Sequence, residues 1–425
     1  MFRPLRSLDV RHRHGRTHLG QALAALLIVS ASGVVATRAD DLPKTPAAAL
    51  AAEQADRMPP STFYTIAPLP HGAAGQLIRS AVVTDYALPK GVGAVRILYH
   101  SRDAAGKDVA ASGVVLIPAG KAPKGGWPVI AWAHGTSGVA RICAPSMMKD
   151  VYYGTEGLFP MVEAGFAVIA PDYAGLGTAS AHQYLDPVAQ ANDVINAVAA
   201  AHRAVANLSP RWVVDGHSEG GGAAWFVAQQ EASLKDPNYL GAVAVAGTVN
   251  MPWIMHYMST SRADSFYAVF LAYGIKARFP KFRVEDMLTK QGMAHYRMFT
   301  TKGCWDYGYA TEVSQLQSKS AAPVLKKGWE RNPWVRRWAA ETVRVRPHVS
   351  RPLLVLAGGA DTSVPPPSIE PIVKKACRFG YHLEFKIYPG LDHDPLMDKS
   401  TPYQLQWIRD RFAGRPAPDN CSTLR

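Results

Sequence analysis

Between residues 127 and 249 the chain sets short, largely apolar strands between helical patterns, and that alternation constrains the fold more than any other feature. Trp127-Pro-Val-Ile-Ala-Trp-Ala133 and Phe166-Ala-Val-Ile-Ala-Pro171 are near-continuous apolar runs. Strands of that kind are buried on both faces, as in parallel sheets. A helical pattern over about 187–205 follows the second run, and Trp212-Val-Val-Asp215 leads through a glycine-rich turn into another helix. Leu240–Val249, Pro352–Ala357 and Leu383–Tyr388 read as further core strands, and an amphipathic helix over about 402–412 closes the pattern. Upstream, Gln76–Tyr86, Gly93–Ser101 and Val109–Pro118 are short, β-branched and separated by Gly, Pro or Asp, as antiparallel hairpins are. The expectation is an α/β fold with a mostly parallel central sheet and helices on both faces.

One segment breaks the rhythm. Residues 251–346 carry no clear strand run, yet hold 16 aromatics and six of the twelve methionines. We read them as a mostly helical insertion between two core strands. Most of those aromatics form the insertion's own core, and part of the surface is expected to face a substrate, because Met and aromatic side chains make adaptable apolar binding surfaces.

The chain opens with five arginines and one acid in residues 1–18. Uncharged residues 19–37 follow, densest in apolar character at Ala22–Val29, and end in Ala36-Thr37-Arg38-Ala39. A basic region, an apolar region and a small-residue cleavage site form a secretory signal, with cleavage after Ala36 or Ala39. An uncleaved membrane anchor is the alternative. Removing six arginines and one aspartate lowers the formal charge from +13 to +8. Residues 251–346 hold 16 Lys and Arg against 7 Asp and Glu, so the remainder is nearly neutral. With the charge confined to one segment, and no zinc-finger spacing, RNA-binding aromatic signature or basic zipper, nucleic acid is not an expected partner. The organisation we expect is a signal peptide at 1–39, an N-terminal lead-in at 40–75 that is poorly ordered over 40–60, a core at 76–250, the helical insertion at 251–346, a second core segment at 347–415 and a tail at 416–425.

The chemistry-bearing residues lie at the ends of the predicted strands. Gly216-His217-Ser218-Glu219-Gly220 matches G-x-S-x-G between a strand and a helix. In that setting the serine stands exposed on a sharp turn above the sheet. A serine hydroxyl is a poor nucleophile until a base takes its proton. Asp361 follows the strand Pro352–Ala357, and His393 follows the last strand in Tyr388-Pro-Gly-Leu-Asp-His393. Asp361 and His393 are the expected acid and base in the order Ser, acid, His. The other late histidine, His382, opens the last strand, at the wrong end. Asp392 and Asp394 flank His393, but sequence neighbours rarely reach back to its ring. Donors for an oxyanion are expected from the backbone N–H of Glu219 and from the loop His134-Gly135-Thr136-Ser137-Gly138, through Gly135 or Thr136.

Together, Ala133-His-Gly-Thr-Ser-Gly138, Ile142-Cys-Ala-Pro-Ser146, Pro171-Asp-Tyr-Ala-Gly-Leu-Gly177 and Gly216-His-Ser-Glu-Gly-Gly221 resemble the secretory lipases of the α/β-hydrolase superfamily, which include fungal lipases of the lipase A type and bacterial relatives. The resemblance covers roughly residues 60–415. It implies the α/β-hydrolase fold, a helical cap between nucleophile and acid, and hydrolysis of carboxylic esters. It carries nucleophile, acid and base onto Ser218, Asp361 and His393. His217, before the nucleophile, receives no catalytic role, and its side chain is expected to point away from that of Ser218. The oxyanion loop departs most from the fungal pattern.

Four cysteines allow three pairings. We expect Cys143–Cys304, tying cap to core, and Cys377–Cys421, tying down the tail, as export permits. No His-Glu-x-x-His and no close cysteine pair suggests a metal, and the expected chemistry needs no cofactor. The partner is a small-molecule or lipid ester, with transient contact to a lipid interface through the basic cap, in a secreted or periplasmic setting. Peptidase, thioesterase and acyltransferase chemistry use the same residues, and a non-catalytic binding protein on this fold is a further alternative.

Overall fold

A computed structural model describes residues 42–154, 157–260, 265–317 and 321–424. The expected signal segment lies outside the described residues. Nine strands form one sheet: β1 (Leu77–Val83), β2 (Gly93–Arg102), β3 (Asp108–Ile117), β4 (Trp127–Ala133), β5 (Ala167–Pro171), β6 (Leu208–His217), β7 (Tyr239–Val245), β8 (Leu353–Gly358) and β9 (Leu383–Tyr388). Their order is β1-β2-β3-β5-β4-β6-β7-β8-β9. The first three are antiparallel neighbours and β3 pairs antiparallel with β5. All other pairings are parallel. The apolar runs explain this division. Every residue of β5 and β8 is buried, as are the last five of β4, whereas the edge strand β1 has a partly exposed pattern. Helices Pro187–Ala204 and Glu219–Leu234 cross between parallel strands and cover the sheet with their alanine-rich faces. Asp186 caps the first of these, accepting from the N–H groups of Val188 and Ala189.

Between β7 and β8 the chain passes through helices Met251–Thr260, Tyr267–Arg278, Lys290–Thr301, Trp305–Thr311 and Pro333–Thr342. Phe266, Phe270 and Phe299 are fully buried there and make edge-on and tilted ring contacts with one another.

Two expectations are corrected. The supposed lead-in contains a helix, Pro46–Asp56, started by Thr45, whose hydroxyl accepts from Ala48 N–H, and by Pro46 at the first helical position. Its Glu53 reaches the insertion and accepts the N–H groups of Cys304 (3.0 Å) and Tyr307 (2.8 Å) at the start of helix Trp305–Thr311. Burial pushes the Glu53 carboxyl up to about 7, against the pull of those donors. The alanine-rich composition suggested disorder, but this long-range contact anchors the helix. The closing helix also starts earlier than expected, running His393–Phe412, with Asp392 as its cap and Pro402 inside it.

Disulfides join Cys143 to Cys304 and Cys377 to Cys421. The second closes a loop of 44 residues. Loop-closure entropy for that span is worth about 4 kcal/mol, which for a chain of this size corresponds to a Tm shift of about 5 °C. The double variant Cys377→Ser/Cys421→Ser is expected to melt lower by that amount in a thermal scan. An unaltered Tm would mean that the bridge does not form in the native protein.

Candidate active site

Ser218 occupies the junction between β6 and helix Glu219–Leu234, with φ 58° and ψ −118°. That conformation is unfavourable for a residue with a side chain and is held by its surroundings. Ser218 N–H donates to Val245 O on β7 at 2.9 Å. The glycines of the motif allow the turn because there is no room for more. A Cβ on Gly216 would stand 2.2 Å from Gly220 O, and one on Gly220 would stand 1.9 Å from Ala133 O. Gly220→Ala must therefore push the helix away from β4, at a cost on the order of 3 kcal/mol. It is expected to lower both Tm and any activity that depends on Ser218. A variant with wild-type Tm would show that the helix can back away freely.

Asp361 and His393 leave the sheet from adjacent strands. β8 and β9 run parallel in register from Leu353↔Leu383 to Gly358↔Tyr388, so the loops after them emerge side by side at the carboxyl edge. There His393 Nδ1–H donates to Asp361 Oδ2 at 2.7 Å. Asp361 is 4% exposed, and its other oxygen accepts the N–H groups of Ser363 (2.9 Å) and Val364 (2.7 Å). Burial alone would raise the Asp361 carboxyl. The adjacent His393 and the Val364 N–H outweigh it and hold the group below the usual carboxylate range. Asp392 has a different duty. Its carboxylate caps the closing helix, accepting from His393 N–H and Thr362 N–H.

His217 is the contact that the sequence did not reveal. Its ring lies 4.6 Å, centroid to centroid, from that of His393, tilted by 41°. Burial first, and the neighbouring His393 second, push His217 down to about 4. No hydrogen bond of good geometry reaches its Nε2. The position before the serine ends β6, and which ring it meets depends on the tertiary arrangement of the closing helix. Among the described residues, one group could hold a metal ion, formed by His217, His393 and Asp394.

The loop after β4 lies against the serine turn. A Cβ on Gly135 would stand 3.5 Å from His217 O and 3.6 Å from Ser218 Cβ. Thr136 is buried, its hydroxyl bonded to Tyr184 OH at 2.8 Å and its carbonyl accepting from Tyr152 OH. The Glu219 side chain turns into the protein interior, where Gln190 Nε2 donates to it and His182 Nε2 lies 3.5 Å away. Its backbone N–H belongs to the first turn of the helix that follows Ser218. The Cys143–Cys304 bridge fixes the segment just past this loop to the insertion.

Ser218, Thr136, Ser363 and Val364 line one small cavity of about 50 Å³. Leu185, Ile254, Tyr257, Met258, Tyr267 and Leu271 supply its apolar wall, five of them from the two helices that follow β7 and its loop. A larger cavity of about 230 Å³, lined by Gln229, Arg278, Glu341 and Arg344 among others, contains none of the candidate site residues.

A mostly parallel sheet of this order, with a serine on the tight turn between a central strand and its helix, defines an α/β-hydrolase. The model of the secretory lipase family matches residues 149–420, and the chain belongs to that family. It is thereby a hydrolase of the lipase and esterase class. Among solved structures, lipase A of Candida antarctica in its closed state is similar, with a TM-score of 0.67, 17% identity, and coverage of 82% of this chain and 85% of that one. The rice cell wall degrading esterase LipA of Xanthomonas oryzae is similar with a TM-score of 0.63, 16% identity, and coverage of 81% of this chain and 100% of that one. At such identities these likenesses speak for the fold. A search of the curated proteins finds no match.

Proposed function

We propose that the protein is an exported serine hydrolase that cleaves carboxylic esters through an acyl-enzyme on Ser218. The observation that carries this reading is the 2.7 Å bond from His393 Nδ1–H to Asp361 Oδ2, at the same sheet edge as the serine turn. With Nδ1 committed, the remaining lone pair of the His393 ring is on Nε2 and is the base for the serine proton. Ser218 Oγ attacks the acyl carbon while its proton passes to His393 Nε2. Asp361 stabilises the imidazolium. The C–O bond to the alcohol then breaks, and His393 returns the proton to the leaving oxygen. Water then attacks the acyl-enzyme and gives a proton to His393, which passes it to Ser218 Oγ as the acyl–serine bond breaks and the acid leaves. The amides of Glu219 and of Gly135 or Thr136 hold the oxyanion, and each such donor is worth roughly 3 kcal/mol in the transition state.

Residues 251–346 act as a cap over the site, and the apolar wall that they contribute takes the acyl chain. The excess of Lys and Arg in this segment favours contact with anionic lipid interfaces. The two disulfides and the N-terminal pattern support maturation in an oxidising compartment, outside the cytoplasm.

A series of p-nitrophenyl esters tests the reading. Each methylene buried in the acyl wall contributes about 0.8 kcal/mol, so kcat/KM should rise up to roughly fourfold per methylene until the wall is filled. Esters of C4 to C10 acids are expected to work, with long triglycerides slower. A flat response from C2 to C16 would count against an enclosed acyl site. Faster turnover of thioesters or peptides than of matched oxygen esters would move the protein to those chemistries. A folded chain with no turnover and no covalent labelling by a fluorophosphonate would remove the hydrolase reading.

A further inference from the structure

We propose that His217, His393 and Asp394 form a binding site for a borderline divalent cation of the zinc or copper kind, and that an ion bound there arrests the hydrolase. Each of the three offers one ligand atom, and these atoms lie within 4.8 Å of one another. The donor set is two imidazoles and one carboxylate, which with a water in the fourth position is a common tetrahedral site for zinc. Ligand atoms around such an ion stand about 3.3 Å apart, so the three side chains must close by up to roughly 1.5 Å on binding.

Two independent observations favour an ion over mere crowding. His217 is 6% exposed, yet its Nε2 meets no well-formed hydrogen bond. A buried imidazole nitrogen without a well-formed hydrogen bond is disfavoured, and a metal ion would satisfy it. In addition, His393 already has the outer partner that a metal-bound histidine usually has. Its Nδ1–H is held by the Asp361 carboxylate, which fixes the ring and leaves Nε2 as the ligand atom. Asp394 sits in the first turn of the closing helix, next to His393 in the chain. The imidazole donors favour zinc and copper over magnesium and calcium, which prefer all-oxygen sites.

The inhibitory consequence rests on the reaction proposed above; the binding itself does not. A cation on His393 Nε2 takes the lone pair that would accept the serine proton, so turnover stops without any change in covalent structure and resumes when a chelator removes the ion.

The test uses the purified full chain after chelator treatment. Calorimetric titration with ZnCl₂ should give one site per chain, and CoCl₂ should give the visible bands of tetrahedral cobalt. His217→Asn and Asp394→Asn should each weaken zinc binding at least tenfold, and the fraction of ester turnover lost at fixed zinc should fall in parallel within each variant. Asp394, only partly buried, keeps the test decisive if the His217 variant fails to fold. Magnesium should neither bind nor inhibit. No zinc or cobalt binding to wild type, or binding unchanged in the folded variants, overturns the site. Binding at this site that leaves turnover intact overturns the inhibitory role. A chain that binds zinc but hydrolyses no ester leaves the site standing and sinks the hydrolase reading instead.

Discussion

Ser218→Ala is expected to lower kcat for a p-nitrophenyl ester by at least about 10⁴-fold, with covalent labelling lost and Tm kept. The size follows from the proposed mechanism. Without the hydroxyl no acyl-enzyme forms, and the oxyanion donors and the acyl wall can only assist a slow attack by water. The fold is indifferent to the change, because alanine keeps the Cβ and the turn is set by Ser218 N–H to Val245 O and by the glycines around it. A Ser218→Ala protein with more than about a hundredth of wild-type kcat would mean that the acyl group is carried elsewhere or not at all.

Asp361→Asn is expected to lower kcat by about 10⁴-fold with the geometry almost unchanged. The two N–H groups of Ser363 and Val364 both point at Oδ1. An asparagine there must keep its carbonyl oxygen on them, since its NH₂ cannot accept. The NH₂ is then left facing His393 Nδ1. That nitrogen is forced to accept, the proton moves to Nε2, and the base is lost. Nitrogen NMR of the His393 ring should show the tautomer reversed. A loss smaller than tenfold, or an unreversed tautomer, would show that Asp361 does not orient the ring.

The sheet was readable because the apolar runs of β4, β5 and β8 have no exposed face to satisfy, and few other structures can bury such segments. The serine turn was readable because its glycines are fixed by backbone contacts within a few residues and one strand. Asp361 and His393 could be placed at one sheet edge because each follows a parallel strand. The start of the closing helix was hidden by Pro395 and Pro402, which suggest a break. The missing Pro402 N–H is tolerated inside a helix that the core holds in place. Helix Pro46–Asp56 and the His217–His393 ring contact were illegible for a shared reason. Both depend on partners 176 to 254 positions away, and nothing local marks them.

The bridge from Cys143 to Cys304 links the stretch beside the Gly135–Thr136 loop to the far half of the insertion. If residues 251–346 cap the site as proposed, any swing that admits a bulky ester must pivot about that post. Helix Met251–Thr260, which bears Ile254, Tyr257 and Met258, carries no disulfide of its own. A reductant should therefore leave small esters processed much as before while blurring the discrimination among large ones, because the doorway would lose its hinge before it lost its frame.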